Sequence, residues 1–191
     1  RAELWRAGTG WADPRSQSRY VYRPPLPEMR MSVAPALGNR SFTITAAIER
    51  ETADQDGCVV SFGDGRGGLA LYLLRGRLHF DYNVFGQHLK LVSNRQVATG
   101  KTTVSVAVER LGKVGRATVL IGVEIPFLVR RFSTGSFNLG SDPGVAVSDD
   151  YAAPFVFQGK LGEVVIEIPE RTSAEARQAS RADVLADLAR Q

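Results

Sequence analysis

The chain has 191 residues, 43% hydrophobic and 23% charged, which is the balance of a globular domain long enough to bury a core. No stretch approaches the roughly 18 apolar residues of a membrane-spanning helix, no charged-then-apolar leader resembles a secretory signal, and a lone cysteine excludes an intrachain disulfide and any multi-cysteine metal cluster. The net charge of +4 equals the excess in residues 1–40 alone, where seven arginines face Glu3, Asp13 and Glu28; the body is balanced, so neither a nucleic-acid nor a membrane partner is expected.

Residues 1–38 read as an irregular, extended leader. It carries both tryptophans, Trp5 and Trp11, and the run Arg23-Pro24-Pro25-Leu26-Pro27, whose prolines bias their predecessors away from helix. The expectation is a strap over the domain surface, with the tryptophans packed on the domain or on a partner and the arginines facing an acidic surface absent from this chain. The chain opens on Arg1 rather than Met, as a piece of a longer polypeptide does.

From Asn39 the period becomes two. Phe42, Ile44, Ala46 and Ile48 share one side, and the intervening threonines share the other. Short β-type runs follow at Cys58–Phe62, Leu69–Leu74, Leu78–Tyr82 and His88–Val92, then longer ones at Thr102–Val108 and Ala117–Ile125, and a last one at Leu161–Ile168. The glycine-rich segment 63–68, the dipeptide Arg75-Gly76, Gly86 and segment 112–115 supply the turns. Many short strands with glycine turns define an all-β domain over 39–168, expected as a concanavalin-A-like or laminin-G-like antiparallel jelly-roll sandwich. Phe42, Ile44, Val104, Val106, Val119, Ile121, Val164 and Ile166 are its expected core. Residues 169–191 read as a tail with a short helix, opened by capping-box spacing at Thr172-Ser173-Ala174-Glu175.

Little in this pattern carries chemistry. Segment 63–68 is followed by a strand rather than a helix, so it is a hairpin loop and not a phosphate cradle. Cys58, in Gly57-Cys58-Val59-Val60, reads as a buried strand position rather than a reactive thiol. His79 and His88 lie on neighbouring strands without an evident third ligand, and His79 reads as a sheet-surface residue. Asp142, Asp149 and Asp150 gather in one oxygen-rich loop and are the candidate calcium ligands, set against plain turn chemistry for the same residues. Tyr72 and Tyr82, with Phe85, are the candidate platforms for a sugar ring. No catalytic triad order, glycosidase carboxylate pair or metalloprotease spacing stands out, so no catalytic residue and no cofactor are assigned.

Three segments resemble a known family. They are Asn39-Arg40-Ser41-Phe42-Thr43-Ile44-Thr45-Ala46, the hairpin from Gly68 to Leu73 with Tyr82-Asn83-Val84-Phe85-Gly86 after it, and the run from Val147-Ser148-Asp149-Asp150-Tyr151 through Pro154-Phe155-Val156-Phe157 to Leu161. Together with Tyr20-Val21-Tyr22-Arg23-Pro24, they resemble over about residues 18–168 the C-terminal β-sandwich of large bacterial arylsulfatases. The resemblance implies that residues 1–38 link to a catalytic domain lying outside this chain. That domain, the expected partner, holds the calcium and the formylglycine of the family; Cys58, followed by Val59-Val60-Ser61, cannot be the formylglycine precursor. It further implies a non-catalytic domain that packs on and shapes the active site of an arylsulfatase; the sequence does not fix the compartment, a bacterial cytoplasm being the favoured expectation. Two alternatives remain open on the residues themselves: a free-standing lectin-like glycan-binding module, and an assembly domain that self-associates through its leader.

Overall fold

The computed structural model describes residues 17–111, 114–118, 122–125 and 135–170, and none of them is helical. Among these described residues twelve strands form two six-stranded antiparallel sheets. The first runs in the order β1 (Arg19–Tyr22), β12 (Lys160–Glu167), β3 (Phe42–Arg50), β8 (Gly100–Leu111), β9 (Val114–Thr118), β10 (Gly122–Ile125). The second runs β2 (Met29–Arg30), β11 (Ser136–Leu139), β4 (Gly57–Asp64), β5 (Gly67–Leu74), β6 (Arg77–Val84), β7 (Gln87–Gln96). This is the expected jelly-roll sandwich.

The period-two residues fill the space between the sheets, because alternate side chains of a strand point to opposite faces. Phe42, Ile44, Ala46 and Ile48 from β3, with Val104, Val106 and Val108 from β8 and Val164 and Ile166 from β12, meet Phe62, Leu69, Leu71, Leu73, Leu78, Phe80 and Tyr82 of the second sheet. Each fully buried side chain of this size contributes roughly 2 kcal/mol. Val119 and Ile121 lie outside the described residues, as do Trp5, Trp11 and the expected C-terminal helix.

Two expectations are corrected. The run Ala117–Ile125 is two antiparallel strands rather than one, with Val123 opposite Ala117 and Gly122 opposite Thr118. Period two is blind to such a reversal, because partners across it have the same parity and fall on the same face. Residues 19–37 are also part of the sandwich rather than a strap upon it. β1 closes one edge of the first sheet against β12, β2 closes one edge of the second against β11, and Tyr20, Ala34 and Leu37 are buried in the core. Four- and two-residue strands are too short to show a period among prolines.

The second sheet is buried on its outer side as well. The segment from Gly140 to Phe157 crosses the outer face of β4, β5 and β6. Its own backbone closes on itself (Phe155 N to Asp142 O, 3.1 Å; Phe157 N to Gly140 O, 2.9 Å) and joins β4 through Cys58 N to Phe155 O at 3.2 Å. Asp142 is the latch: buried, its Oδ2 accepts Val147 N at 2.8 Å and the Tyr151 hydroxyl at 2.7 Å. Beneath it Cys58, Ala70, Tyr72 and Val147 make a second apolar cluster, joined by Tyr151 and Phe155, whose rings stack at 4.3 Å. Burial holds the Cys58 thiol well above its ordinary pKa, as the strand reading requires. Gly57 permits the close approach, with φ at +132° and a would-be Cβ only 2.3 Å from Phe157 Cα and Val156 O.

Two predictions follow from this covering segment. Gly57→Ala should cost about 3 kcal/mol or more in urea unfolding, because strain and backbone collision add. Gly86→Ala, at φ +84° with open space around it, should cost only about 1 kcal/mol. Asp142→Ala should leave two buried donors unpaired and open the segment locally, which Cys58 reports. Its labelling rate with a thiol reagent under native conditions should rise roughly 30-fold or more, for about 2 kcal/mol lost; an unchanged rate would mean that Asp142 does not hold the cover down.

Candidate functional site

Where the covering segment ends on β6 and β7, the buried face turns from apolar to ionic. The outward positions of β6 are His79, Asp81 and Asn83, and those of β7 are His88 and Lys90. The two-residue turn Phe85-Gly86 sets the register, pairing Asn83 with His88 and Asp81 with Lys90. Asn83 fixes three backbones at once. Its amide donates to Gly65 O at 3.0 Å and Val147 O at 2.9 Å, and its Oδ1 accepts Gly86 N at 2.8 Å.

Asp81 is the unusual member, a carboxylate with no exposed surface. His88 Nδ1 lies 2.8 Å from its Oδ2, while Oδ1 has no hydrogen-bond partner among the described residues. Burial pushes Asp81 above the ordinary carboxylate range, and the nearby Ser148 hydroxyl and His88 ease this only in part. An incompletely satisfied buried carboxylate costs folding free energy, so its presence needs a reason outside the core.

The covering segment brings the opposing charges. Lys90 Nζ bonds both Asp149 and Asp150, and Asp150 also accepts from the Tyr72 hydroxyl, which sits 3.2 Å from Ser148 Oγ. The bond to Lys90 holds Asp149 below its usual pKa. Burial pushes Asp150 up, but Lys90 and Tyr72 outweigh it and hold it low. His79 stacks on the Tyr72 ring at 5.0 Å, and burial holds its imidazole below the usual pKa against the pull of Asp150 at 3.6 Å. His79 is therefore a covered residue rather than the surface histidine that its alternation suggests.

The sequence-derived candidates divide accordingly. Asp149 and Asp150 meet at Lys90, whereas Asp142 is engaged inside the covering segment, so the three aspartates do not converge on one cation. The group whose donor atoms do converge among the described residues is Asp81, His88 and Asp149, all within 4.8 Å of one another. Neither tyrosine offers a platform: Tyr82 belongs to the inter-sheet core and Tyr72 lies beneath the covering segment. Phe85 does, being 82% exposed. Asp81 was missed because polar residues alternating along a strand read as a solvated face. The two-residue turn was the signal that could have paired it with β7.

No protein-family model matches the chain, and no curated protein matches it in sequence. Solved structures share its fold. Domains LG4-5 of the mouse laminin α1 chain superpose with a TM-score of 0.52 at 15% identity, over 82% of this chain and 42% of that one. A leech intramolecular trans-sialidase in complex with 2,7-anhydro-Neu5Ac gives 0.52 at 14% identity, over 84% and 27%. The LG1-3 region of the laminin α2 chain gives 0.50 at 13%, over 81% and 31%. The chain thus spans less than half the length of these solved chains. At such identities the likeness concerns architecture, and it establishes a laminin-G-like, concanavalin-A-like β-sandwich.

Proposed function

We propose that this chain is a non-catalytic, lectin-like β-sandwich module that binds carbohydrate at the β6–β7 end of its second sheet. The observation that carries the reading is Phe85. It occupies the first position of a two-residue turn at φ +51°, followed by Gly86 at +84°, a conformation that favours Asn-Gly and disfavours a bulky residue. Its ring is 82% exposed among the described residues. A strained backbone holding an aromatic ring in water is a feature of recognition, not of folding. The ring can take the apolar face of a pyranose, while His88, Lys90 and Asp149 nearby along β7 and the covering segment supply donors and acceptors for hydroxyl groups. Among the fold neighbours, the leech trans-sialidase was solved with a sugar derivative.

A second reading keeps the domain as an accessory to an arylsulfatase-like hydrolase. It rests on the sequence resemblance, whose segments include Val147–Phe157 of the covering segment and Tyr20–Tyr22 of the edge strand β1. In that reading Phe85 anchors the module on the catalytic domain.

Phe85→Asn separates recognition from folding. The turn should relax, raising stability by about 0.5–1 kcal/mol, while binding of oligosaccharides, followed by NMR shift titration across neutral, sialylated and sulfated panels, should weaken at least tenfold. Saturable binding that survives Phe85→Asn would remove Phe85 from the site. No shift with any sugar, together with Phe85-dependent association with a sulfatase catalytic domain, would favour the second reading.

A further inference from the structure

We propose that Asp81, His88 and Asp149 form a binding site for a divalent transition-metal ion of the zinc type. The neighbouring hairpin strands β6 and β7 and the sequence-distant covering segment each bring one donor atom, and the three atoms lie within 4.8 Å of one another. A single cation fits between them, since metal–ligand distances of about 2 Å set neighbouring donors roughly 3–4 Å apart.

The independent observation is the buried carboxylate of Asp81. Its Oδ2 faces His88 Nδ1, the Ser148 hydroxyl that eases its burial in part is shared with Tyr72 and Asp150 N, and its Oδ1 has no hydrogen-bond partner among the described residues. A cation is what such an oxygen lacks. The donor set also discriminates: one imidazole and two carboxylates suit zinc, cobalt or nickel, whereas calcium takes oxygen ligands throughout. This site differs from the calcium loop read from the sequence, sharing Asp149 and replacing Asp142 and Asp150 with Asp81 and His88.

Lys90 defines the resting state. Its ammonium lies on Asp149 and Asp150, so an incoming metal takes Asp149 and leaves Lys90 with Asp150. Asp150 stays in place through its bond from Tyr72, which keeps the covering segment docked while Asp149 changes partner. The inference does not depend on the carbohydrate reading, because its measurement involves no sugar.

The test is calorimetric titration of the metal-free full chain with zinc chloride, with thermal midpoints recorded in parallel. The expected result is one zinc per chain with micromolar or tighter affinity and a raised midpoint. Asp81→Asn and His88→Gln should each weaken binding at least tenfold. Asp81→Asn should also melt no lower than the unaltered chain without metal, because it removes a buried charge, so lost binding is not lost folding. Lys90→Met should tighten zinc binding severalfold, as a competing cation is gone, and calcium should bind at least a hundredfold more weakly. Absence of saturable zinc binding below millimolar concentration, or equal affinity in the unaltered chain and Asp81→Asn, would overturn the site.

Discussion

Asp142 is the residue on which the rest of the second sheet's outer face depends. One carboxylate oxygen, buried and bonded to Val147 N and the Tyr151 hydroxyl, folds eighteen residues of chain, Gly140 to Phe157, into a cover. Without that cover β4 and β5 would present Cys58, Ala70, Tyr72 and Leu74 to water. With it, strands that elsewhere in a sandwich are half solvated become buried on both sides, and the ionic residues beside them are drawn into a medium where charges interact strongly. The buried, ionic character of the face therefore derives from a loop as much as from the strands that display it.

The β6–β7 end of the second sheet is built against the pattern that stabilises the core. The inter-sheet core is apolar along most of its rows, its charged exception being Arg50 at the end of β3, buried and donating to Ala53 O and Val97 O. The β6–β7 end departs from that pattern three times, in a buried carboxylate, an aromatic residue at a left-handed turn position, and an ammonium shared by two aspartates. Such departures persist where another requirement maintains them. The surrounding scaffold tolerates them because Asn83 ties the two hairpin ends and the covering segment together through neutral hydrogen bonds, which do not depend on protonation.

The architecture was legible in the sequence because period two is a direct imprint of the pleat. The alternation of Phe42, Ile44, Ala46 and Ile48, or of Val104, Val106 and Val108, leaves little choice of face. β5 carried a further signal in Leu69-Ala70-Leu71-Tyr72-Leu73-Leu74, an unbroken apolar run that implies burial on both sides, yet which segment covers it is a long-range fact that no local pattern encodes. The edge strands at Arg19–Tyr22 and Met29–Arg30 were hidden by brevity and by the prolines between them. At the candidate site the residues were visible one by one, but Asp81 and His88 become partners only through the hairpin register, and Asp149 joins them only through the latch at Asp142.

The pairing of β1 with β12 has a consequence for how the molecule comes into being. Arg19 lies opposite Glu167, and β3, in the middle of the same sheet, takes one neighbour from residues 100–108 and the other from 160–167. Nearly the whole chain must therefore leave the ribosome before the first sheet can close. The hairpins from β4 to β7, whose partners are close in sequence, are free to form earlier. For that interval their inner apolar row has no opposing sheet, which is the condition under which a chaperone binds or a nascent chain associates with another. The sandwich is closed last by its two ends, and its synthesis is exposed for as long as they are apart.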